Sequence, residues 1–249
     1  MKINLTKKKK KLLIAFTSIF CALMLLFGGC SVKLSDYYHA DVTAINAFVY
    51  SGEITQSQMK DGTLVFAPED PEYGFIFYPG EKIEHTAYKP LMLALAQRGV
   101  LCLLVEMPMR LAVLDKNAAD GLKEQFPQVD EWYIGGHSLG GVTAASYLKK
   151  NADAYAGLVL LAAYSKKDLS QTNLKVLSVY GDEDGIRNMG KYERYKKNLP
   201  ENFTEYVIEG GNHAYFGMYG AQKGDGEGSL GNRQQIILTA AKIVSVMND

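Results

Sequence analysis

The stretch Gly136-His137-Ser138-Leu139-Gly140 decides how this chain is read. It fits the pattern G-x-S-x-G. It lies where an apolar run, Glu131-Trp132-Tyr133-Ile134-Gly135, gives way to a helix-like one, Val142-Thr143-Ala144-Ala145-Ser146-Tyr147-Leu148. A serine on a tight strand-to-helix turn sits in a strained backbone with its hydroxyl exposed at the edge of a sheet. Glycines on either side let strand and helix approach closely, because a side chain there would collide. Leu139 opens the helix, so its N–H and the helix dipole point at whatever meets Ser138.

Working outward, apolar runs predict strands over residues 46–51, 63–67, 73–78, 100–106, 132–135, 158–162, 174–180 and 203–208. The central ones, such as Leu158-Val159-Leu160-Leu161, are continuously apolar, as strands buried on both faces are. Helical patterns over 90–98, 115–125, 139–149, 188–198 and 233–247 alternate with them. Pro90 suits a first turn and Gly99 a C-cap, and Ile236, Ile237, Ala240, Ile243 and Val244 form one stripe. The alternation predicts an α/β fold, a mostly parallel, doubly wound sheet of about eight strands with its site at the carboxyl ends of the strands.

A serine hydroxyl is a weak nucleophile at neutral pH. It needs a base within hydrogen-bond reach, and the base needs an orienting carboxylate. The loop after residues 174–180 offers Asp182, Glu183 and Asp184. The loop after 203–208 offers His213 in Gly210-Gly211-Asn212-His213-Ala214. Among the other histidines, His39 and His85 read as surface or packing residues, and His137 stands beside the serine. An oxyanion needs two N–H donors. Leu139 is one candidate. Glu81, on the Pro79-Gly80-Glu81-Lys82 turn, is the other, with Gly80 or Lys82 as alternatives.

With Phe77-Tyr78-Pro79-Gly80, the serine turn, Gly181-Asp182-Glu183-Asp184 and Gly211-Asn212-His213-Ala214-Tyr215-Phe216-Gly217 in view, the chain resembles the α/β-hydrolase superfamily over residues 45–247. It looks like a small bacterial dienelactone-hydrolase-like member. The resemblance implies an α/β-hydrolase fold and a serine hydrolase cleaving carboxylic esters, on a small-molecule or polymer-attached substrate, with no cofactor. It implies a Ser138–His213–Asp184 triad, since relatives place the acid as G-x-x-D; Asp182 is the alternative acid. The sequence lacks the histidine that lipases and esterases carry before Gly80. Only residues 164–173 stand where many relatives insert a lid, so no lid domain is expected. Cover for the site could come from 107–114 or 220–232. Two other readings use the same fold: amide or thioester cleavage by the same triad, and a surface-binding lipoprotein without catalysis.

The chain has 249 residues. Lys7 to Lys11 are followed by an apolar stretch over 12–27 and then Gly28-Gly29-Cys30. This resembles a bacterial lipoprotein signal, with Cys30 as the lipidated residue. It implies a signal peptide over 1–29, a tether over 30–44, a hydrolase domain over 45–249, and a lipid anchor on the extracytoplasmic face of a bacterial cell membrane. An uncleaved anchor or ordinary secretion is the alternative. Residues 1–29 hold six of the 27 basic residues and none of the 27 acidic ones, so the remainder carries a net charge of −6. No basic stripe is present, which argues against nucleic acid. Cys102 lies in an apolar run and reads as core. No Cys or His spacing suits a metal. Residues 220–232, rich in Gly and charge, read as a mobile loop. Their alternating acids are reminiscent of a calcium loop without its remaining ligands.

Overall fold

In the computed structural model, which describes residues 36–48 and 50–249, eight strands form one sheet. They are β1 (Thr55–Gln58), β2 (Leu64–Ala67), β3 (Tyr73–Tyr78), β4 (Val100–Leu104), β5 (Glu131–His137), β6 (Gly157–Leu161), β7 (Lys175–Gly181) and β8 (Thr204–Ile208). Their spatial order is β1-β2-β4-β3-β5-β6-β7-β8. The β1–β2 and β2–β4 pairs are antiparallel, and every other neighbouring pair is parallel. The helices are α1 (Val42–Asn46), α2 (Lys89–Ala96), α3 (Leu139–Asn151), α4 (Met189–Lys196) and α5 (Asn232–Asn248).

The two-residue period of the strands divides the core into two layers. Phe75, Phe77, Cys102 and Leu104 face α2 and α5, where Leu91, Leu95, Ile236, Ala240 and Ile243 are buried. Ile76, Tyr78, Leu101 and Leu103 face the other way, onto Ala144, Ala145 and Leu148 of α3. Burying both faces is what made the central strands continuously apolar. Cys102 is fully buried, as its reading as core required, and burial pushes its thiol well above the ordinary range. Ile237 departs from its expected stripe and is 37% exposed, because 236, 240, 243 and 247 follow the helical period and 237 does not.

Two expectations are corrected, and one strand is new. Among the described residues of 46–51 none lies in a strand: α1 runs to Asn46, its N-terminus capped by Asp41 Oδ1, which accepts the N–H of Ala44 at 2.9 Å. The edge strand β1 falls later, in Thr55-Gln56-Ser57-Gln58. All four residues are exposed, so the segment carries no apolar signal. Residues 115–125 are turns ending in a short 3₁₀ helix, Lys123–Gln125. Gly121 there has φ 75°, which breaks any α-helix. The Tyr78 hydroxyl fastens this segment to the sheet, donating to Lys116 O at 3.0 Å and accepting from Ala119 N at 2.9 Å.

Packing starts before residue 45. Tyr38 bridges Ile83, and Asp41 N donates to Met218 O at 2.8 Å. Cys30 and the expected lipoprotein signal lie outside the described residues. Among the described residues no helix is long and apolar enough to cross a membrane. The β6-to-β7 connection, residues 162–174, carries no inserted domain.

Candidate active site

Ser138 follows β5 and caps α3 with φ 52° and ψ −122°, a conformation a side-chain-bearing residue rarely adopts. Its N–H donates to Leu161 O on β6 at 2.8 Å, and its carbonyl accepts from Val142 N at 3.2 Å. The turn tolerates nothing larger than glycine beside it. A Cβ on Gly136 would lie 2.4 Å from Tyr78 O, and one on Gly140 would lie 2.2 Å from the same oxygen. α3 thus meets the end of β3 backbone to backbone, which fixes Ser138 at the carboxyl edge of the sheet.

His213 comes from the turn after β8, and Asp184 from the loop after β7. His213 Nδ1 stands 2.9 Å from Asp184 Oδ2 and 3.1 Å from Oδ1. Their side chains are 2% and 1% exposed. Asp184 Oδ1 also accepts the N–H groups of Ile186 at 2.9 Å and Arg187 at 2.8 Å. A carboxylate so held selects the imidazole tautomer with hydrogen on Nδ1 and leaves the Nε2 lone pair free. His213 Nε2 is buried and has no protein partner. Asp182, the alternative acid, is exposed, and its Oδ1 accepts Gly210 N at 2.7 Å.

Ser138 and His213 line one cleft of about 240 Å³ together with Glu81 and Leu139. Among the described residues neither Glu81 N nor Leu139 N donates to any acceptor. The Gly80–Lys82 turn is fixed from two sides: Gly80 N donates to the Tyr88 hydroxyl at 3.2 Å, and Lys82 N to Arg110 O at 2.9 Å. The cleft's other wall includes Ile186, Arg187 and Asn188, after β7, and Lys191 of α4, rather than residues 107–114 or 220–232.

Several supporting residues escaped the sequence reading. Tyr88, buried under the site, bonds His137 Nδ1 at 2.8 Å while accepting from Gly80. Because its hydroxyl accepts that N–H, its own hydrogen is available to His137, leaving the second hydrogen on Nε2. The His137 ring packs 4.6 Å from that of His213. Burial, and then the nearby His213, push His137 well below the ordinary histidine range, so it is neutral. Asp225 gathers the N–H groups of Gly185 (3.2 Å), His213 (3.2 Å) and Ala214 (2.8 Å). The loop expected to be mobile is therefore fastened to both loops that bear the acid and the histidine. The same bonds occupy Asp225 with backbone donors. Among the described residues no group of three His, Cys, Asp or Glu side chains could hold a metal. No local signal marks Tyr88 or Asp225, whose partners are distant in sequence.

Comparison with family models agrees with this architecture. Residues 74–237, well over half of the chain, match the model described as "Alpha/beta hydrolase family". The chain belongs to the alpha/beta hydrolase family. In this alpha/beta hydrolase the matched span runs from β3 into α5 and so contains the serine turn, Asp184 and His213. Among solved structures it is similar to one titled "Crystal Structure of TT1662 from Thermus thermophilus". The TM-score is 0.57 at 15% identity, over 79% of this chain and 97% of that one, a likeness of fold alone. Comparison with curated proteins returns no match.

Proposed function

We propose that this alpha/beta hydrolase is a serine hydrolase of carboxylic esters. The observation that carries the proposal is the buried His213–Asp184 pair, opening with an unpartnered Nε2 on the cleft that Ser138 also lines. In the proposed reaction Ser138 Oγ attacks the ester carbonyl and its proton passes to His213 Nε2. Asp184 steadies the imidazolium without itself being protonated. The oxyanion is met by the unpaired N–H groups of Leu139 and Glu81, the first at the positive end of α3. Collapse expels the alcohol, which takes the proton from His213. Water, deprotonated by the same imidazole, then releases the acid and restores Ser138. No step calls for a cofactor.

The lipoprotein-like start of the sequence extends the proposal. Cys30, once diacylated, tethers the enzyme to the outer face of a bacterial cell membrane, where small-molecule or polymer-attached esters reach it. Replacing Cys30 with Ser should abolish incorporation of fatty-acid analogues, and undiminished incorporation would refute the anchor.

The hydrolase reading is tested with a fluorophosphonate probe. The expected result is one adduct on Ser138 and loss of ester turnover in Ser138→Ala. An unlabelled Ser138, or full turnover in that variant, rules the reading out.

A further inference from the structure

Arg187 is a buried charge that the proposed reaction leaves unused. Its side chain is 4% exposed. Its guanidinium carbon lies 3.2 Å from the centre of the Tyr180 ring and 4.4 Å from that of Tyr192. Stacking on two phenol faces favours the cation but does not satisfy its in-plane N–H groups. Nε and Nη1 are buried and have no hydrogen-bond partner.

The neighbouring carboxylates are already engaged. Asp184 Oδ2 makes an ion pair with Nε at 4.0 Å, too long for a hydrogen bond, and that carboxylate's hydrogen bonds go to His213 and two backbone N–H groups. Glu205 is taken by the hydroxyls of Tyr180 and Tyr192 and by Lys196 Nζ. The two phenols that enclose the guanidinium thus direct their hydroxyls to Glu205. A desolvated guanidinium with donors to spare is unfavourable unless something anionic completes it.

Arg187 lines the cleft that Ser138 and His213 line, and Lys191, one turn further on, lines it as well. The acidic residue of that lining, Glu81, comes from the loop after β3 and not from this wall. We infer that the Arg187–Lys191 wall is an anion subsite, and that the substrate is an ester bearing a carboxylate or phosphate-like group beside the scissile bond. The inference rests on the hydrolase reading and narrows its substrate class. Planar guanidinium and mobile ammonium together suit either oxyanion.

The test compares three ethyl esters on the wild-type enzyme: ethyl hexanoate, monoethyl glutarate and ethyl phosphonobutyrate. The expected result is a kcat/KM at least about 10-fold higher for one or both anionic esters, the scale of a charge-assisted hydrogen bond. The two anionic arms separate a carboxylate from a phosphate-like preference. Arg187→Met should lower the anionic-to-neutral ratio by about 10-fold or more, and Lys191→Met, on an exposed residue, by a smaller factor. Equal kcat/KM for all three esters, with Ser138 still labelled and ethyl hexanoate still cleaved, overturns the subsite and leaves the hydrolase standing. An Arg187→Met enzyme that loses neutral and anionic turnover in equal proportion also overturns it, since Arg187 would then act through Asp184. Absence of both labelling and turnover removes both readings together.

Discussion

The Asp225 carboxylate accepts the backbone N–H of His213 at 3.2 Å, and through its other oxygen that of Ala214 at 2.8 Å. It also accepts from Gly185, the residue after Asp184. One side chain from a distant loop thus ties the backbone carrying the imidazole to the backbone carrying its carboxylate. Removing it leaves four N–H groups without an acceptor, those of Gly185, His213, Ala214 and Gly226. Asp225→Ala should lower kcat by about 10-fold or more, with a smaller change in KM, and cost about 1–3 kcal/mol of stability. Asp225→Asn keeps one acceptor oxygen and should recover part of both. Steady-state kinetics and denaturant melts of the two variants measure this. An Ala variant that matches the wild type in both would mean the bonds position nothing.

The choice of acid gives a sharper contrast. Asp184 holds His213 Nδ1, whereas Asp182 caps Gly210 N. An amide in place of Asp184 presents the wrong hydrogen-bonding group to the imidazole and disturbs its tautomer. Asp184→Asn should therefore reduce kcat by about 10³–10⁴-fold. Asp182→Asn retains an acceptor for Gly210 and should reduce kcat by less than about 10-fold. Comparable losses in both would unseat Asp184 as the orienting acid.

Gly140 tests the serine turn. An Ala Cβ there would lie 2.2 Å from Tyr78 O and 2.3 Å from Pro79 O, contacts with backbone that cannot rotate away. Helix α3 must lift off β3, carrying Ser138 with it. Gly140→Ala should cost at least about 2 kcal/mol and abolish fluorophosphonate labelling even where protein remains folded. Gly190→Ala, whose Cβ meets nothing nearer than 3.5 Å, is the control.

These tests separate what the sequence made legible from what it did not. Strands β2 to β7 were visible because they are largely buried and burial writes apolar runs, while the edge strand β8, exposed at alternate residues, still carries the apolar run Tyr206-Val207-Ile208. Strand β1 was not, since Thr55-Gln56-Ser57-Gln58 is exposed on the sheet's edge and needs no apolar residue. Ser138 announced itself because a strained turn demands glycine at fixed offsets. The places after β8 and β7 offered His213 and three carboxylates, and the resemblance to relatives singled out Asp184. Tyr88 and Asp225 left no such trace. Their effect comes from approach in space, Tyr88 onto a histidine 49 residues away and Asp225 onto backbone 11 and 12 residues away. A Gly-rich acidic loop looks mobile until its one useful carboxylate is seen capping N–H groups.

Acid sensitivity should come in part from His137. Burial, with His213 close by, holds it well below its ordinary range in the folded protein, while the unfolded chain titrates near pH 6.5, the usual histidine value at about that figure. Below about pH 6.5 the unfolded state therefore takes up a proton that the folded state refuses, and stability falls as pH falls; above it this group adds no pH dependence. His85, lowered chiefly by burial, acts with the same sign. The slope from one such histidine reaches about 1.4 kcal/mol per pH unit between its two titration points. Urea unfolding of the wild type and His137→Gln at about pH 7.5 and about pH 5.5 isolates the contribution. The wild type should lose about 1 kcal/mol more than the variant over that interval. Equal losses would place the sensitivity elsewhere, with His85 the first group to examine.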